Sequence, residues 1–342
     1  MKKPNQSLKE KISDSKFFMK VSIIAVNWNG GKILDNFIEN LLDIDYNDKE
    51  IIIVDNGSTD DSLKILSGCD NITVIPLKKN LGFAGGNNYG IKNCSGDFIL
   101  LVNTDVLCPP DIIKKFLSFY NSQSEEKKIG ALVPVIKLPD GKINSLGSVL
   151  YKDFQPYNIG FNQEPDKIQE LIKTAKMTGF YGACVLLNKK MIDDVGLMNE
   201  EYFLYHEETD LAIRGLARGW KFEIVLDIEV KHFHSYSSGE LSFKKIFYSE
   251  RNRLFNLIKY GLPDEIFFSP YYTLKRYFKT LFNKKLLHYT KQKKNFISKL
   301  TPPLAAISAY IALFFYIDAL LYFRFKNITP DRNYLKTFDN IF

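Results

Sequence analysis

Glu50–Asp60 has the sequence EIIIVDNGSTD, and this short stretch decides the class of fold. Its first half contains four consecutive apolar residues, Ile51–Val54, which form a run of strand length with no polar face. Such a run predicts a strand covered on both sides, as in a parallel sheet with helices on both faces. Turn-forming polar residues and glycine begin at Asp55, so the strand is expected to end there.

The alternation of strands and helices continues on both sides of this stretch. Upstream, Val21–Trp28 is an apolar, β-branched strand, and apolar residues at helical spacing follow it from Ile33 to Leu42. The other predicted strands are Ile72–Leu77, Asp97–Val102, Ala131–Leu138, Phe180–Leu187 and Lys221–His232, and the other predicted helices are Asp60–Leu66, Gly86–Asn93, His206–Arg218 and Leu241–Tyr260. This order predicts an α/β fold with a mostly parallel sheet flanked by helices, because right-handed crossovers connect such strands.

Polar residues follow four of the strands at the point where each strand ends. They are Asn27–Gly30, Asp55–Asp60, Asn80–Asn88 and Asn103–Asp105. A capped turn explains any one of them alone, because Asn, Asp and Gly are common turn residues. Ligands of open α/β sheets bind at the carboxyl ends of the strands, so four such segments on one edge predict a site.

The motifs of dinucleotide-binding and P-loop proteins do not match this sequence. Gly82–Gly90 is not a G-x-G-x-x-G motif and follows the third strand rather than the first, and the chain has no Walker lysine motif. The four cysteines do not have metal-ligand spacing. A nucleotidyltransferase is an alternative, although Asn27–Lys32 lacks the arginine expected in its glycine-rich loop.

Five motifs together resemble the family 2 glycosyltransferases, and most closely the bacterial rhamnosyltransferase branch. They are VSIIAVNWN at Val21–Asn29, VDNGSTD at Val54–Asp60, NLGFAGGNN at Asn80–Asn88, LVNTDV at Leu101–Val106 and YHEETDLAIR at Tyr205–Arg214. The resemblance implies a GT-A fold over residues 20–262, with a donor half of about 20–125 and an acceptor half of about 126–262. It also implies an inverting transfer of a sugar, such as rhamnose, from a dTDP- or UDP-linked donor. The implied acceptor is a saccharide, lipid-linked, in cell-surface polysaccharide synthesis.

The resemblance also implies which residues contact the donor. Asp55 is expected to hydrogen-bond the nucleobase or ribose, with Asn27 and Asn29 beside it. Small residues in GFAGGNN would let the backbone approach the donor closely. The expected contacts from this motif and the next one are Gly82, Phe83, Ala84, Gly85, Asn87 and Asn103.

A divalent cation, Mg²⁺ or Mn²⁺, is implied by the segment after the fourth strand. The family carries a D-x-D motif there, and this chain has Asn103-Thr104-Asp105, the N-x-D form common in the rhamnosyltransferase branch. Asp105 therefore becomes the main protein ligand. The family's second contact is a histidine after a late strand, which matches His232, with His234 as the competing choice. Such a cation stabilises the charge that grows on the diphosphate leaving group.

Three acids lie at the start of a predicted helix, in the motif EETD at Glu207–Asp210. An inverting transferase needs a base, and the resemblance assigns it to Glu208, with Glu207 and Asp210 as alternatives. Clustered carboxylates repel one another, which favours a raised pKa on one of them. The structural alternative is stabilisation by the helix dipole, with Arg214 holding Asp210 one turn away.

Two departures from the family pattern leave a further alternative open. Asn103 replaces one carboxylate of the metal motif, and Glu208 stands where the family has Asp. A catalytically inactive protein that only binds the donor would tolerate both changes.

Residues 1–19 are predicted to form a polar, Lys-rich tail. They lack the apolar core of a signal peptide, and the cysteines are predicted to be reduced, so we expect the enzyme to be cytoplasmic.

The C-terminal region 263–342 is predicted to be helical and to associate with the membrane. Tyr271–Leu300 contains nine bases and no acid, and the apolar run Leu304–Phe323 has the length of a bilayer but includes Asp318. We expect a helix on an anionic membrane surface first, a single span second and a homodimer contact third. No motif supports nucleic-acid binding.

Overall fold

The computed structural model describes residues 19–124, 126–233, 242–282 and 296–327. Its strands are β1 (Val21–Asn27), β2 (Lys49–Asp55), β3 (Thr73–Pro76), β4 (Phe98–Val102), β5 (Val106–Leu107), β6 (Ile129–Lys137), β7 (Ile143–Ser145), β8 (Ser148–Leu150), β9 (Pro156–Asn158), β10 (Cys184–Asn188) and β11 (Lys221–His232). Its α-helices are α1 (Gly31–Leu42), α2 (Ser62–Leu66), α3 (Gly82–Lys92), α4 (Ile112–Ser122), α5 (Ile168–Thr174), α6 (Lys189–Val195), α7 (Glu207–Ala217), α8 (Phe243–Tyr260), α9 (Pro263–Phe282), α10 (Phe296–Leu313) and α11 (Ile317–Asn327).

Nine strands form one sheet in the order β3-β2-β1-β4-β10-β6-β11-β5, with β7 beside β6. The strands β3, β2, β1 and β4 run parallel, and β6 runs parallel to β11. β10 runs antiparallel between β4 and β6, and β5 pairs antiparallel with the end of β11. The predicted α/β fold with a mostly parallel sheet is confirmed, and the antiparallel strands are additions to it.

The core lies on both faces of the sheet, as the run of apolar residues in β2 predicts. Ile51 and Ile53 pack in the cluster on one face with α1 and α4, whereas Ile52 and Val54 pack on the other face with α3 and α7. Successive side chains of a strand point to opposite faces, so a strand covered on both sides needs apolar residues at every position. Each such side chain contributes about 1.5–3 kcal/mol when it is fully buried.

Two glycines bring α3 unusually close to the sheet. A Cβ atom on Gly86 would lie 2.6 Å from Val26 Cγ1, and one on Gly90 would lie 2.4 Å from Ile24 Cγ2. Both glycines lie on the face of α3 that packs on β1, one helical turn apart. This packing offsets the poor helix propensity of the two glycines. The helix begins at Gly82 rather than at the predicted Gly86.

The helix α8 lies between the α/β core and the C-terminal helices. Leu254 and Leu257 of α8 pack with Ile213 of α7 and with Ala309 of α10. The guanidinium of Arg253 is fully buried, and it lies 2.6 Å from Glu250 Oε1 and reaches side chains of α9 and α10. These contacts cross the domain boundary predicted between residues 262 and 263, and that boundary stays a prediction.

The apolar run Leu304–Phe323 is divided between two helices. α10 ends at Leu313, and the axis turns by 66° before α11 begins at Ile317. Among the residues that the structure describes, no single helix has the length and hydropathy of a membrane span, whereas this bent pair passes the test of length and composition together. Ala305 and Ala309 are buried, which shows that one face of α10 packs inside the protein.

Candidate active site

The polar segments that follow the strands meet at one edge of the sheet. The register of β1 and β2 places Asn27 beside Asp55, and β4 lies on the other side of β1. The side chain of Asn56 donates a hydrogen bond to Asn80 Oδ1 at 3.1 Å, which joins the third segment to the second. The carboxyl ends of these strands therefore form one continuous polar edge, as the sequence predicts.

Asn27 and Asp55 form a buried pair at the centre of this edge. Asn27 Nδ2 donates to Asp55 Oδ2 at 3.0 Å, and the backbone N–H of Ser58 donates to Asp55 Oδ1 at 3.0 Å. Both side chains are fully buried, and Asn27 Oδ1 has no hydrogen-bond partner among the described residues. The carboxylate is thus held rigidly beneath the edge, and its predicted contact with the nucleobase or ribose stays a prediction.

The residues next to this pair are open to solvent. The indole of Trp28 is 44% exposed at the end of β1. Asn29 has a positive φ of 53°, and its Oδ1 accepts a hydrogen bond from the N–H of Thr59 at 2.8 Å, so it links the first two segments. Trp28 lies within the polar segment Asn27–Gly30, so the sequence does not single it out. Its exposed ring adds an aromatic surface to this edge of the sheet.

The GFAGGNN motif packs closely against the protein itself, and its predicted donor contacts stay predictions. Ala84 is buried in the core, and Asn87 Nδ2 donates to the carbonyl of Phe83 on its own helix. Gly82 has a φ of +75°, and a Cβ there would lie 2.0 Å from the carbonyl oxygen of Phe203. That oxygen accepts a hydrogen bond from the N–H of Phe83 at 2.6 Å. The physical reason for the glycine is therefore a close approach to the protein's own backbone. A Cβ on Gly85 would likewise meet Leu81 of the same segment.

Asp105 and His232 lie together because β5 pairs with the last residues of β11. This pairing sets His232 opposite Val106, and Asp105 Oδ1 lies 3.2 Å from His232 Nε2. The other ring nitrogen, Nδ1, is 2.9 Å from Asn144 Oδ1, which fixes the orientation of the imidazole. Asn144 comes from β7, a strand of three residues that the sequence pattern does not indicate. His234, the competing choice, lies outside the described residues.

The Asp105–His232 pair suits a cation that the donor helps to hold. No group of three His, Cys, Asp or Glu side chains within residues 19–124, 126–233, 242–282 and 296–327 is arranged to bind a metal. One carboxylate with one imidazole fits a cation whose remaining ligands are diphosphate oxygens and water.

Asn103 is held by its backbone N–H, which donates to the carbonyl of Ala183 at 2.9 Å.

Glu207 and Glu208 form an acid pair at the start of α7, in which Glu207 is buried and Glu208 is partly exposed. The Oε2 atom of each is buried and has no hydrogen-bond partner among the residues that the structure describes. Burial raises the pKa of Glu208 to about 7, although backbone N–H groups of Glu208 and His206 oppose the rise. Burial also raises the pKa of Glu207 well above its ordinary range, and the charge on Glu208 adds to this effect. Near neutral pH, Glu208 can therefore gain and lose a proton.

Asp210 has a different environment from the acid pair. Its Oδ1 atom is 3.0 Å from Lys259 Nζ and accepts a hydrogen bond from the Tyr260 hydroxyl, and its Oδ2 atom is 2.9 Å from Arg214 Nε. Burial alone would raise the pKa of Asp210, but the charges of Lys259 and Arg214 outweigh it and hold that pKa well below its usual range. The alternative that Asp210 is the base is therefore not supported, because a permanently ionised, paired carboxylate is a poor proton acceptor.

Tyr181 links the acid pair to the Asp105–His232 pair. Burial raises the pKa of Tyr181, and the nearby carboxylates of Glu208 and Asp105 raise it further. The centre of its ring lies 5.9 Å from that of His232. The acid pair and the Asp105–His232 pair therefore border the same region. Tyr181 also lies in this region, although no sequence motif indicates it.

A strained backbone segment leads into the acid pair. Within Phe203–His206, which we term the left-handed segment, three non-glycine residues have positive φ: Phe203 at 61°, Tyr205 at 70° and His206 at 67°. Each such residue costs about 1–3 kcal/mol, and it persists only where the surroundings fix it. Strain of this kind is concentrated at functional sites in proteins.

Comparisons with known proteins agree with this geometry. A family model described as glycosyl transferase family 2 matches residues 22–196. The N-acetylglucosaminyl-diphospho-decaprenol L-rhamnosyltransferase of Mycobacterium tuberculosis is 26% identical over 244 residues, which cover 64% of this chain and 77% of the relative.

Two solved structures show a similar fold. The mannosyltransferase PcManGT of Pyrobaculum calidifontis, in complex with GDP-Man and Mn²⁺, has a TM-score of 0.51 at 13% identity, over 94% of this chain and 83% of that one. S. aureus TarS 1–349 in complex with UDP-GlcNAc has a TM-score of 0.53 at 16% identity, over 88% of this chain and 84% of that one. The predicted GT-A fold is thereby confirmed.

Proposed function

The chain belongs to glycosyl transferase family 2, and from that premise we propose that it moves a sugar from a nucleotide diphosphate to a saccharide acceptor with inversion. The observation that carries the proposal is the acid pair Glu207–Glu208, whose buried Oε2 atoms lack partners in the described chain and which borders the same region as Asp105. A base with a pKa near neutrality, close to a carboxylate that can hold a cation for the diphosphate, suits an inverting transfer.

The donor's nucleoside binds at the polar edge formed by β1 and β2. The exposed ring of Trp28 offers a surface on which a nucleobase stacks, an interaction that does not discriminate among bases. The buried Asp55 lies beneath as a fixed acceptor for a base or ribose N–H or O–H group. We propose a dTDP- or UDP-linked sugar, and rhamnose in particular, because the mycobacterial relative is named an L-rhamnosyltransferase.

Asp105 and His232 are the residues that would hold a divalent cation, Mg²⁺ or Mn²⁺, for the donor's diphosphate. The Mn²⁺ bound to the mannosyltransferase of similar fold supports this assignment. When bound, the cation neutralises the negative charge that develops on the leaving diphosphate. Asn144 keeps the His232 ring turned so that Nε2 faces Asp105.

Glu208 accepts the proton of the acceptor hydroxyl as the oxygen attacks the anomeric carbon. A new C–O bond forms on one face of the sugar while the bond to the diphosphate oxygen breaks on the other, which inverts the configuration. Burial and the neighbouring charge of Glu208 raise the pKa of Glu207 well above its ordinary range, which favours its protonated form as a hydrogen-bond donor in the site. Asp210 anchors the helix through its ion pairs rather than taking part in proton transfer.

The acceptor is a lipid-linked saccharide, and the C-terminal helices bind the cytoplasmic membrane surface. α9 exposes Phe267, Tyr271 and Leu274, which lie on one helical face, and the turn after α10 exposes Phe314 and Phe315 by 80% and 84%. Apolar faces of this kind, with a basic segment between them in the sequence, suit an anionic bilayer. The name of the mycobacterial relative, which includes a diphospho-decaprenol, supports such an acceptor.

Arg276, one of the nine bases in Tyr271–Leu300, is not available to bind the membrane surface. Arg276 Nη2 lies 2.8 Å from Glu250 Oε2, and Arg276 Nη1 contacts Asp153 Oδ2, so this guanidinium belongs to an internal ion-pair cluster. The electrostatic attraction to anionic lipid therefore depends on the lysines. A homodimer that covers the same apolar faces is the competing outcome in a vesicle-binding test.

A panel of nucleotide sugars with Mn²⁺ tests the proposed function. The matching donor should raise the melting temperature, because a ligand at about 100 times its Kd stabilises the folded state by about 2.7 kcal/mol. Adding EDTA should remove most of this effect. Product formed with that donor and a saccharide acceptor should have the inverted anomeric configuration by NMR. Retention of configuration, or no stabilisation by any nucleotide sugar, would contradict the proposal.

A further inference from the structure

One face of α8 contacts the segment of chain that carries the acid pair. The residues on this face that bond to residues 202–210 are spaced three or four apart: Ser249, Asn252, Asn256 and Lys259. This spacing places all four side chains on one side of the helix. The amino-acid sequence indicates only a long helix here, so the face is recognised from the fold.

Asn252 makes the central contact with the left-handed segment. Its Nδ2 atom lies 2.8 Å from the carbonyl oxygens of both Tyr202 and Leu204 and 2.7 Å from that of Tyr205. Asn252 is fully buried, so water cannot replace these hydrogen bonds. One side-chain amide thus gathers three carbonyl groups that strained φ angles turn toward it.

Arg251 fixes the orientation of that amide. Its Nε atom donates a hydrogen bond to Asn252 Oδ1 at 2.9 Å, which keeps the Nδ2 end turned toward the carbonyls. Its Nη2 atom bonds the carbonyls of Glu201 at 2.7 Å and Tyr202 at 3.0 Å. One turn earlier on α8, Ser249 Oγ lies 3.0 Å from His206 Nε2.

We propose that Asn252 is a positioning residue for the catalytic base, an inference that rests on the proposed function of Glu208. The left-handed segment ends where α7 begins, so its backbone angles set the direction in which Glu207 and Glu208 enter the site. Without the amide, the three carbonyls lose their shared donor and the strained φ angles relax. The acid pair then shifts, whereas Asn27, Asp55 and Trp28 stay in place at the ends of other strands.

Asn252→Ala tests this inference against Asn188→Ala as a matched control. Asn188 is also buried, and its Nδ2 donates to the Ile129 carbonyl at 3.1 Å, on a strand that does not carry the acid pair. We expect Asn252→Ala to lower kcat by about a hundredfold, as a displacement of about 1 Å can do, with the donor KM changed by about twofold or less. Asn188→Ala should lower the melting temperature and leave kcat near that of the wild type.

Hydrogen exchange followed by mass spectrometry gives a second measurement that needs no activity. Peptides that cover residues 201–208 should exchange faster in Asn252→Ala than in the wild type, while peptides from β1, β2 and β4 should not change. Should Asn252→Ala fail to fold, Ser249→Ala removes only the bond to His206 and should show the same pattern more weakly.

The outcomes separate this inference from the proposed function. Unchanged exchange over residues 201–208, or an unchanged kcat in a folded Asn252→Ala protein, would overturn the positioning role. A wild type that turns over no nucleotide sugar would refute the proposed function, and the exchange measurement would still decide whether Asn252 holds the segment.

Discussion

The rate of sugar transfer should fall as the pH drops through about 7, because Glu208 must be unprotonated to accept the acceptor's proton. Burial raises the pKa of this carboxyl to about 7. The raised pKa means that the active, ionised form is present above pH 7 and is lost below it. About half of the sites are ionised at pH 7 and about a tenth at pH 6, so kcat should fall roughly fivefold over that unit.

An exposed glutamate would behave differently. With an ordinary pKa of about 4.3 it would stay almost fully ionised at both pH values, and kcat would change by only about 2%. The structure therefore predicts a measurable difference that depends on the burial of one side chain. Glu208→Gln should lower kcat by about a hundredfold or more and should remove this pH dependence, with donor binding close to that of the wild type.

The assay is release of the nucleoside diphosphate at saturating donor, acceptor and Mn²⁺ between pH 5.5 and 8.5. Stabilisation of the protein by donor and Mn²⁺ is measured at each pH, so that a loss of metal is not mistaken for protonation of the base. Glu207→Gln serves as the matched variant and should remain active. A fall in kcat centred near pH 5, or an active Glu208→Gln beside an inactive Glu207→Gln, would refute the assignment.

Three further outcomes are expected. Asp105→Asn should lower turnover by about a hundredfold or more and abolish the Mn²⁺-dependent part of donor stabilisation in a thermal titration, because it removes the carboxylate of the predicted metal motif. Phe314→Ser combined with Phe315→Ser should weaken binding to anionic vesicles in a flotation assay, and unchanged binding, or a dimer that the change dissociates, would refute the membrane surface. Gly90→Ala should destabilise the protein by about 1–3 kcal/mol in urea unfolding because the added methyl group clashes with β1, whereas Gly68→Ala, whose nearest neighbour would be 3.4 Å away, should have little effect.

The sequence predicts the sheet well where local pattern and packing agree. Lys221–His232 has the predicted bounds, and the strands around Ile51–Val54 differ from prediction by one or two residues. The strand predicted at Phe180–Leu187 begins only at Cys184, although one further hydrogen bond, from the N–H of Asn103 to the Ala183 carbonyl, continues its pairing with the end of β4. Short strands such as β5 and β7 escape detection, since two or three residues carry no periodic pattern.

Some residues of the candidate site can be predicted from the sequence, and others cannot. The family resemblance indicates Asp105, His232 and the acid pair, because each lies where the family pattern has a metal contact or a base. Asn144 and Asn252 could not be found from the sequence, because each acts through a contact between residues far apart in the chain, about 90 residues for His232 and Asn144. The ion pairs of Asp210 with Lys259 and Arg214 also separate it from Glu208, although the sequence places both in one acidic motif.

The position of α8 limits how this enzyme can be recombined with its relatives. A chimera that exchanges the C-terminal helices at residue 262 would keep the buried guanidinium of Arg253 but replace its partners on α9 and α10. The same cut would remove Arg276 from Glu250 and leave a buried carboxylate with one cation fewer. Grafts intended to change membrane affinity should therefore carry α8 with them. Because Asn252 of α8 also holds the left-handed segment that leads to Glu208, such a graft would replace part of the catalytic site as well.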